Sequence, residues 1–279
     1  MDHENIDFDN IREYLMKFDG GEIILDKKYW QEGIAILRWN NPKKKNAVSG
    51  KMMVDLKNCV EELEHWEEGK AVILCGEGGN FCSGGDLEMA KQSGFPDQAF
   101  KLSTWMMTIL SRLSNLNMIS ICIAQGPTLG GGAEISMFCD YILVSDDVRY
   151  GFVHGKMGIV TAWGGGTKLI EKMGYHKALD LFLTSKLLSA EECVKLGIAE
   201  KVVSSSNCLG DTFLWLKEYL FHHYSVIRSF KQIANTSRKG NINDTLQCER
   251  QLTSVLWGGE ENKKMLSKNI KHCASNGLN

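Results

Sequence analysis

Three glycine-rich stretches of this 279-residue chain are the places to look for chemistry. One is Asn80-Phe81-Cys82-Ser83-Gly84-Gly85-Asp86-Leu87. The next is Gln125-Gly126-Pro127-Thr128-Leu129-Gly130-Gly131-Gly132-Ala133-Glu134. The third runs from Gly151 to Gly166 and carries His154 and Trp163. In the first two, an apolar strand enters, glycines turn and a helix pattern leaves. Small residues let backbone approach a ligand closely. The first N–H groups of a helix lack intrahelical partners and sit at the positive end of its dipole, so such an end can receive an oxyanion. The plain alternative for the first stretch is a tight turn in which Asp86 caps the next helix. Three consecutive glycines before Ala133-Glu134 are harder to reduce to a bare turn, because each costs chain entropy. The GxGxxG spacing of a dinucleotide loop does not follow the strand.

The elements that must position these residues can be read coarsely. Helical spacing of Ile6, Ile11, Tyr14, Leu15 and Phe18 stops at Gly20-Gly21. Two strand-like runs follow, Glu22 to Asp26 and Gly33 to Trp39. Asn41-Pro42 marks a turn. A helix then presents Met53, Leu56, Val60 and Leu63 on one face, with Ser49 as its N-cap. Ala71 to Cys75, Ile119 to Ala124 and Tyr141 to Ser145 are short apolar strands. The first two do not alternate, which predicts cover on both faces. Helical stretches lie near 98–115 and 132–139. After about residue 206 the pattern is helical: Thr212 to His223, Val226 to Thr236 and Asp244 to Trp257. The alternation predicts an α/β fold, with a helical extension at 1–19, a core at 20–205 and a helical region at 206–279.

Bulk properties narrow the classes. With 43% hydrophobic residues the chain can bury a proper core. A net charge of -2 gives no general attraction to nucleic acid or anionic membrane. The nine cysteines include no CxxC pair, and several lie in apolar runs, such as Cys75 and Cys122. They read as buried reduced thiols rather than disulfides or a metal site, as in a reducing compartment. The start, MDHENIDFDN, is acidic and unlike a signal or transit peptide. The run from Met118 to Val144 is broken by Gln125, Glu134 and Asp140 and cannot span a bilayer. The expectation is a cytosolic protein with no nucleic-acid or membrane partner.

Taken together, FCSGGDL and PTLGGGAE resemble the two oxyanion-hole segments of the crotonase (enoyl-CoA hydratase/isomerase) superfamily. NPKKKNAVSG is similar to that family's early CoA-contacting loop, which covers Lys43 and Ala47. Tyr150-Gly151-Phe152, Met157-Gly158-Ile159 and Trp163-Gly164-Gly165 look like its later active-site segment. LSAEECVKLGIAEKVV looks like its late helix–strand element. The resemblance runs from about residue 20 to 205. It implies a spiral of ββα turns, a helical C-terminal trimerisation region, and a homotrimer or dimer of trimers. It implies that the N–H groups of Gly85 and Gly131 grip a thioester carbonyl, with Ser83 and Asp86 beside them, and that an acyl-CoA is the substrate.

The family's hydratases use two glutamates around one water. The first falls on Glu134; the second falls on His154, which puts hydration in doubt. FVHGKMGIVTAWGGG instead resembles the ethylmalonyl-CoA decarboxylase branch, with Thr161 where proline is common. That branch implies CO2 loss from a short-chain 2-carboxyacyl-CoA, ethylmalonyl-CoA or methylmalonyl-CoA, as metabolite repair. The thioester is the electron sink, so no cofactor or metal is expected. His154 is then the candidate to orient the carboxylate or protonate the enolate; its plain reading is a structural histidine. Glu134 is either an acid beside the substrate or a first-turn acid complementing the helix dipole. Trp163 is either a wall over the acyl chain or an ordinary core side chain. Lys43, Lys44 and Lys45 are either CoA-phosphate contacts or a solvated turn. Lys231 matches a basic position that touches CoA phosphates across subunits in relatives. His222 and His223 read as exposed, and His65 and Trp66 as a helix end. The rival functions are an enoyl-CoA hydratase/isomerase using Glu134 and His154, a CoA thioester hydrolase, and a crotonase-fold RNA-binding protein.

Overall fold

A computed structural model describes residues 7–268. Its strands are β1 (Glu22–Asp26), β2 (Ile34–Asn40), β3 (Ala71–Gly76), β4 (Ile119–Ala124), β5 (Pro127–Leu129), β6 (Tyr141–Ser145), β7 (Arg149–Gly151) and β8 (Lys201–Val203). Its helices are α1 (Phe8–Leu15), α2 (Gly50–Glu64), α3 (Leu87–Gln92), α4 (Pro96–Ser114), α5 (Gly131–Ser136), α6 (Gly165–Met173), α7 (Tyr175–Thr184), α8 (Ala190–Leu196), α9 (Cys208–Leu216), α10 (Tyr224–Ser237), α11 (Ile242–Leu256) and α12 (Glu260–Ser267).

The main sheet has the order β1-β2-β3-β4-β6-β8. Only the β1–β2 pair is antiparallel; the other four pairs are parallel. Parallel neighbours need crossovers, and helices supply them. β5 and β7 form a second, small parallel sheet, which single bridges extend to Cys82 and Leu188. Each turn of chain thus places one strand in the main sheet, a short one in the second layer, and then a helix. This is the ββα spiral.

The non-alternating strands are covered on both faces, as expected. Val72, Leu74, Cys122 and Ala124 join the large core with α2 and α4. Ala71, Ile73, Cys75, Ile121 and Ile123 face the smaller core, closed by Cys208 and Leu216 of α9. Met53, Leu56, Val60 and Leu63 of α2 are buried, and its N-cap Ser49 accepts from Met52 N–H at 3.2 Å. Trp105 of α4, fully buried, donates its indole N–H to Met53 O at 3.0 Å.

Some boundaries differ from the expectation. β5 and β7 have three residues each, too short to show alternation; partners distant in sequence define them. The helix expected over Thr212 to His223 is instead α9, which starts at Cys208 and ends at Leu216. His223 does not end it but caps α10, accepting from Ser225 N–H. α4 begins at Pro96, suited to a first helical turn. Ile6 lies outside the described residues.

Candidate active site

The first glycine stretch is built as a bridge. Val48 donates to Gly84 O at 2.8 Å and accepts from Asp86 N–H at 2.9 Å. In extended backbone, successive amides point to opposite sides. Gly85 N–H therefore points away from Val48, and among the described residues it has no acceptor. Beyond it, Asp86 caps α3, taking Glu88 N–H at 2.8 Å and Met89 N–H at 3.1 Å. Its other oxygen takes the Lys44 ammonium at 2.8 Å. Burial pushes the Asp86 carboxyl up, but Lys44 and the two amides outweigh it and hold the group below its usual value.

The second stretch lies alongside. Leu129 donates to Cys82 O at 3.1 Å and Gly130 to Gly151 O at 2.9 Å. Gly130 turns with φ 53°, ψ -120°, a conformation that only glycine adopts at little cost. Gly131 then opens α5, and its N–H also has no acceptor among the described residues. The two loops are in close contact: a Cβ on Gly84 would lie 3.4 Å from the Gly131 nitrogen. A methyl on Gly131 would collide with the Trp163 indole, and one on Gly85 would touch the same ring at 3.6 Å. The buried Trp163 side chain therefore covers both glycines, and the pocket-wall reading and the core reading describe one position.

Glu134 lies one helical turn beyond Gly131 and is 1% exposed. Its Oε1 accepts from Ala162 N–H at 3.1 Å, and its Oε2 accepts from Trp163 N–H at 2.9 Å and Gly165 N–H at 3.0 Å. His154 Nε2 meets Oε1 at 2.9 Å. Three amide donors and one imidazole nitrogen converge on two oxygens, and a carboxylate has acceptor capacity for all four. His154 follows β7 in a short 3-10 turn and is 8% exposed. Facing an ionised carboxylate, Nε2 is the ring nitrogen that carries a proton. Nδ1 is buried and has no partner among the described residues.

The other predicted residues are placed as follows. Ser83 donates its N–H to Lys45 O at 3.0 Å and its hydroxyl to Lys44 O at 3.2 Å, which ties the basic turn to the first loop. Ala47 is buried in that turn, and its carbonyl accepts from Asn41 Nδ2 at 3.0 Å. Lys43 and Lys45 are exposed beside it. Lys231 is not brought to this site. It is buried, its ammonium is paired with Asp140 of the same chain, and Asp140 binds Ser120 at the opposite end of β4. His65 closes α2, Trp66 stacks on Trp30 at 3.6 Å between centroids, and His222 is exposed. Cys82, in the first loop, is fully buried, and burial pushes its thiol up to about 12, so it is no nucleophile at neutral pH. Among the described residues no group of three or more His, Cys, Asp or Glu could hold a metal, and no helix is long and apolar enough to cross a membrane.

Asn46 was not foreseen. It is buried with φ 56°, accepts from Asn41 N–H at 2.8 Å, and donates to Glu77 O at 2.9 Å and Asn80 O at 2.6 Å. It thus pins the basic turn to the turn that follows β3 and to the start of the first glycine loop. Asparagine after a lysine run is a sign of left-handed backbone, but its two carbonyl partners lie more than thirty residues away.

Comparison with known proteins agrees with this geometry. The Enoyl-CoA hydratase/isomerase family model matches residues 30–269. The chain is 38% identical over 267 residues to ethylmalonyl-CoA decarboxylase of Rattus norvegicus, covering 95% of this chain and 89% of that one. It is 36% identical over 266 residues to the Homo sapiens ethylmalonyl-CoA decarboxylase, covering 94% and 86%. Among solved structures, an enoyl-CoA hydratase of Bacillus anthracis superposes with TM-score 0.79 at 22% identity, over 88% of this chain and 95% of that one. An enoyl-CoA hydratase of Mycobacterium smegmatis gives TM-score 0.81 at 19% identity, over 88% and 94%. The free amides of Gly85 and Gly131, the spiral that places them together and the match along most of the sequence have one explanation: the chain belongs to the enoyl-CoA hydratase/isomerase family.

Proposed function

We propose that the chain is a carboxy-lyase that releases CO2 from a short-chain 2-carboxyacyl-CoA, ethylmalonyl-CoA and also methylmalonyl-CoA. The observation that carries this reading is the direct His154–Glu134 hydrogen bond at 2.9 Å. Glu134 has its remaining capacity filled by three amides. Hydration calls for two carboxylates with a water between them. Here one of the two is an imidazole, and the pair is closed on itself. The relatives named for ethylmalonyl-CoA add the substrate class.

In this mechanism the thioester oxygen accepts from Gly85 and Gly131 N–H. The substrate carboxylate stands perpendicular to the thioester plane. The C–C bond breaks, its electron pair enters the thioester as an enolate, and CO2 leaves. The two amides bind the oxygen where that charge forms; loss of one such donor costs about 3–4 kcal/mol in comparable holes. C2 then takes the Nδ1 proton of His154 in its imidazolium form, protonated at both ring nitrogens; this leaves the neutral ring with its proton on Nε2, and solvent later restores the Nδ1 proton. Glu134 accepts from Nε2 throughout and holds the ring in place. For ethylmalonyl-CoA the product is butyryl-CoA. Lys43 and Lys45, exposed beside Ser83, fit CoA phosphates. Ile242, Leu246, Val255 and Trp257 are exposed in the single chain and fit the surface of a homotrimer or dimer of trimers.

The test is CO2 release from ethylmalonyl-CoA and methylmalonyl-CoA by the purified protein, with crotonyl-CoA hydration run alongside. The expected result is CO2 release with negligible hydration. Hydration without CO2 release would return Glu134 and His154 to an acid/base pair acting on water.

A further inference from the structure

Glu134 is bound by more donors than orienting a histidine requires. Three of its four hydrogen bonds go to main-chain amides 28 to 31 residues away, at Ala162, Trp163 and Gly165. Ala162 and Trp163 pack against the large core, but few other hydrogen bonds hold the strap that carries these amides. Residues 155–160 are exposed without interruption, Met157, Ile159 and Val160 among them. Gly158 has φ 69° with nothing within 4 Å of a built Cβ, and Gly164 has φ 88°. Apart from Glu134, the ties of the strap between these glycines are Ile159 N–H to His154 O at 3.3 Å and the Ser103 hydroxyl to Ala162 O. The strap presses on the helix so closely that a methyl on Gly165 would collide with the Glu134 backbone.

The strap ends in Trp163, whose ring covers Gly131 and Gly85. Gly131 and Glu134 are three residues apart on α5 and share one face. One helical turn therefore carries both a free amide of the candidate hole and the anchor that fixes the ring above it.

We propose that Glu134 is a positioning residue: its carboxylate latches the Ala162–Gly165 strap and so holds the Trp163 indole as the gate that limits the acyl group to short chains. This rests on the proposed seating of an acyl thioester over Gly85 and Gly131, and not on decarboxylation. The ligand class it selects is short-chain acyl-CoA. A long acyl chain would have to displace a ring packed against two glycines, and overfilling a close-packed site is unfavourable.

The experiment is calorimetric binding of butyryl-CoA and octanoyl-CoA, which carry no carboxylate to lose. The proteins are wild type, Glu134→Gln, Trp163→Ala and the double variant. Wild type should favour butyryl-CoA by about ten-fold or more. Trp163→Ala should erase or invert that ratio. Glu134→Gln should move the ratio part of the way, because its one oxygen still accepts while its NH2 cannot accept from the remaining strap amide. The double variant should match Trp163→Ala, because Glu134 acts through the ring. Loss of folded protein lowers the fitted number of sites for both ligands alike and leaves the affinity ratio unmoved. If Glu134→Gln does not fold, Glu134→Asp, which withdraws the carboxylate from the strap, reads the same ratio. An unchanged ratio in a folded Glu134 variant overturns the latch, and an unchanged ratio in Trp163→Ala overturns the gate. Wild type that binds neither thioester overturns the acyl-CoA reading itself, a separate result from an unmoved ratio.

Discussion

His154 gives one ring nitrogen to a carboxylate and keeps the other buried without a partner among the described residues. A merely structural histidine has little reason to leave a buried polar atom unsatisfied, since that costs about 1–3 kcal/mol. His154→Ala is expected to lower the rate of CO2 release by about 10²–10⁴-fold, as for loss of a general acid, with circular dichroism unchanged. Gly131→Ala places a methyl in the Trp163 ring. Overpacking of this kind costs about 1–3 kcal/mol, and urea titration should show that loss and its partial recovery in Gly131→Ala/Trp163→Ala. The glycines and His154 could be picked out in the sequence because type and spacing carry the family pattern. The anchoring of the strap could not. It joins Glu134 to amides, which have no residue identity, across a separation that only the folded chain closes.

At the scale of elements, β3, β4 and β6 could be read from the sequence because a buried parallel strand is an unbroken apolar run. β5 and β7 could not, since three residues define no period. α3 depends on its cap. Asp86→Ala removes the acceptor for two amides and the partner of Lys44, and should cost about 1 kcal/mol by denaturant titration. The sign with pH follows from the lowered folded value of Asp86. Its contribution is fully present above the unfolded value of about 3.9 and is lost as pH falls through the lower folded value. The Asp86→Ala deficit should therefore shrink in acid below about pH 4. Lys231, matched in sequence to a phosphate contact across subunits, holds α10 down within the chain by its pair with Asp140. Lys231→Ala strands a largely buried carboxylate, and chemical unfolding should show a loss of about 3–5 kcal/mol.

The whole molecule is unevenly bound together. The sheet lies between two cores, but α10 is docked largely by polar ties along one face. Arg228 donates to Trp66 O and Gly69 O, Lys231 pairs with Asp140, Asn235 donates to Asn115 O, and Arg238 donates to the Ser114 hydroxyl. α11 follows, and among its residues only Thr245 is buried. Backbone amides exchange with deuterated solvent at rates set by how often their segment opens. In a dilute single chain, α11 should label within the first time points while β3 and β4 stay protected for as long as the protein remains folded. The same helix should gain protection as protein concentration rises, if copies of the chain cover it. Mass-spectrometric exchange across a dilution series would then report subunit dissociation from one peptide.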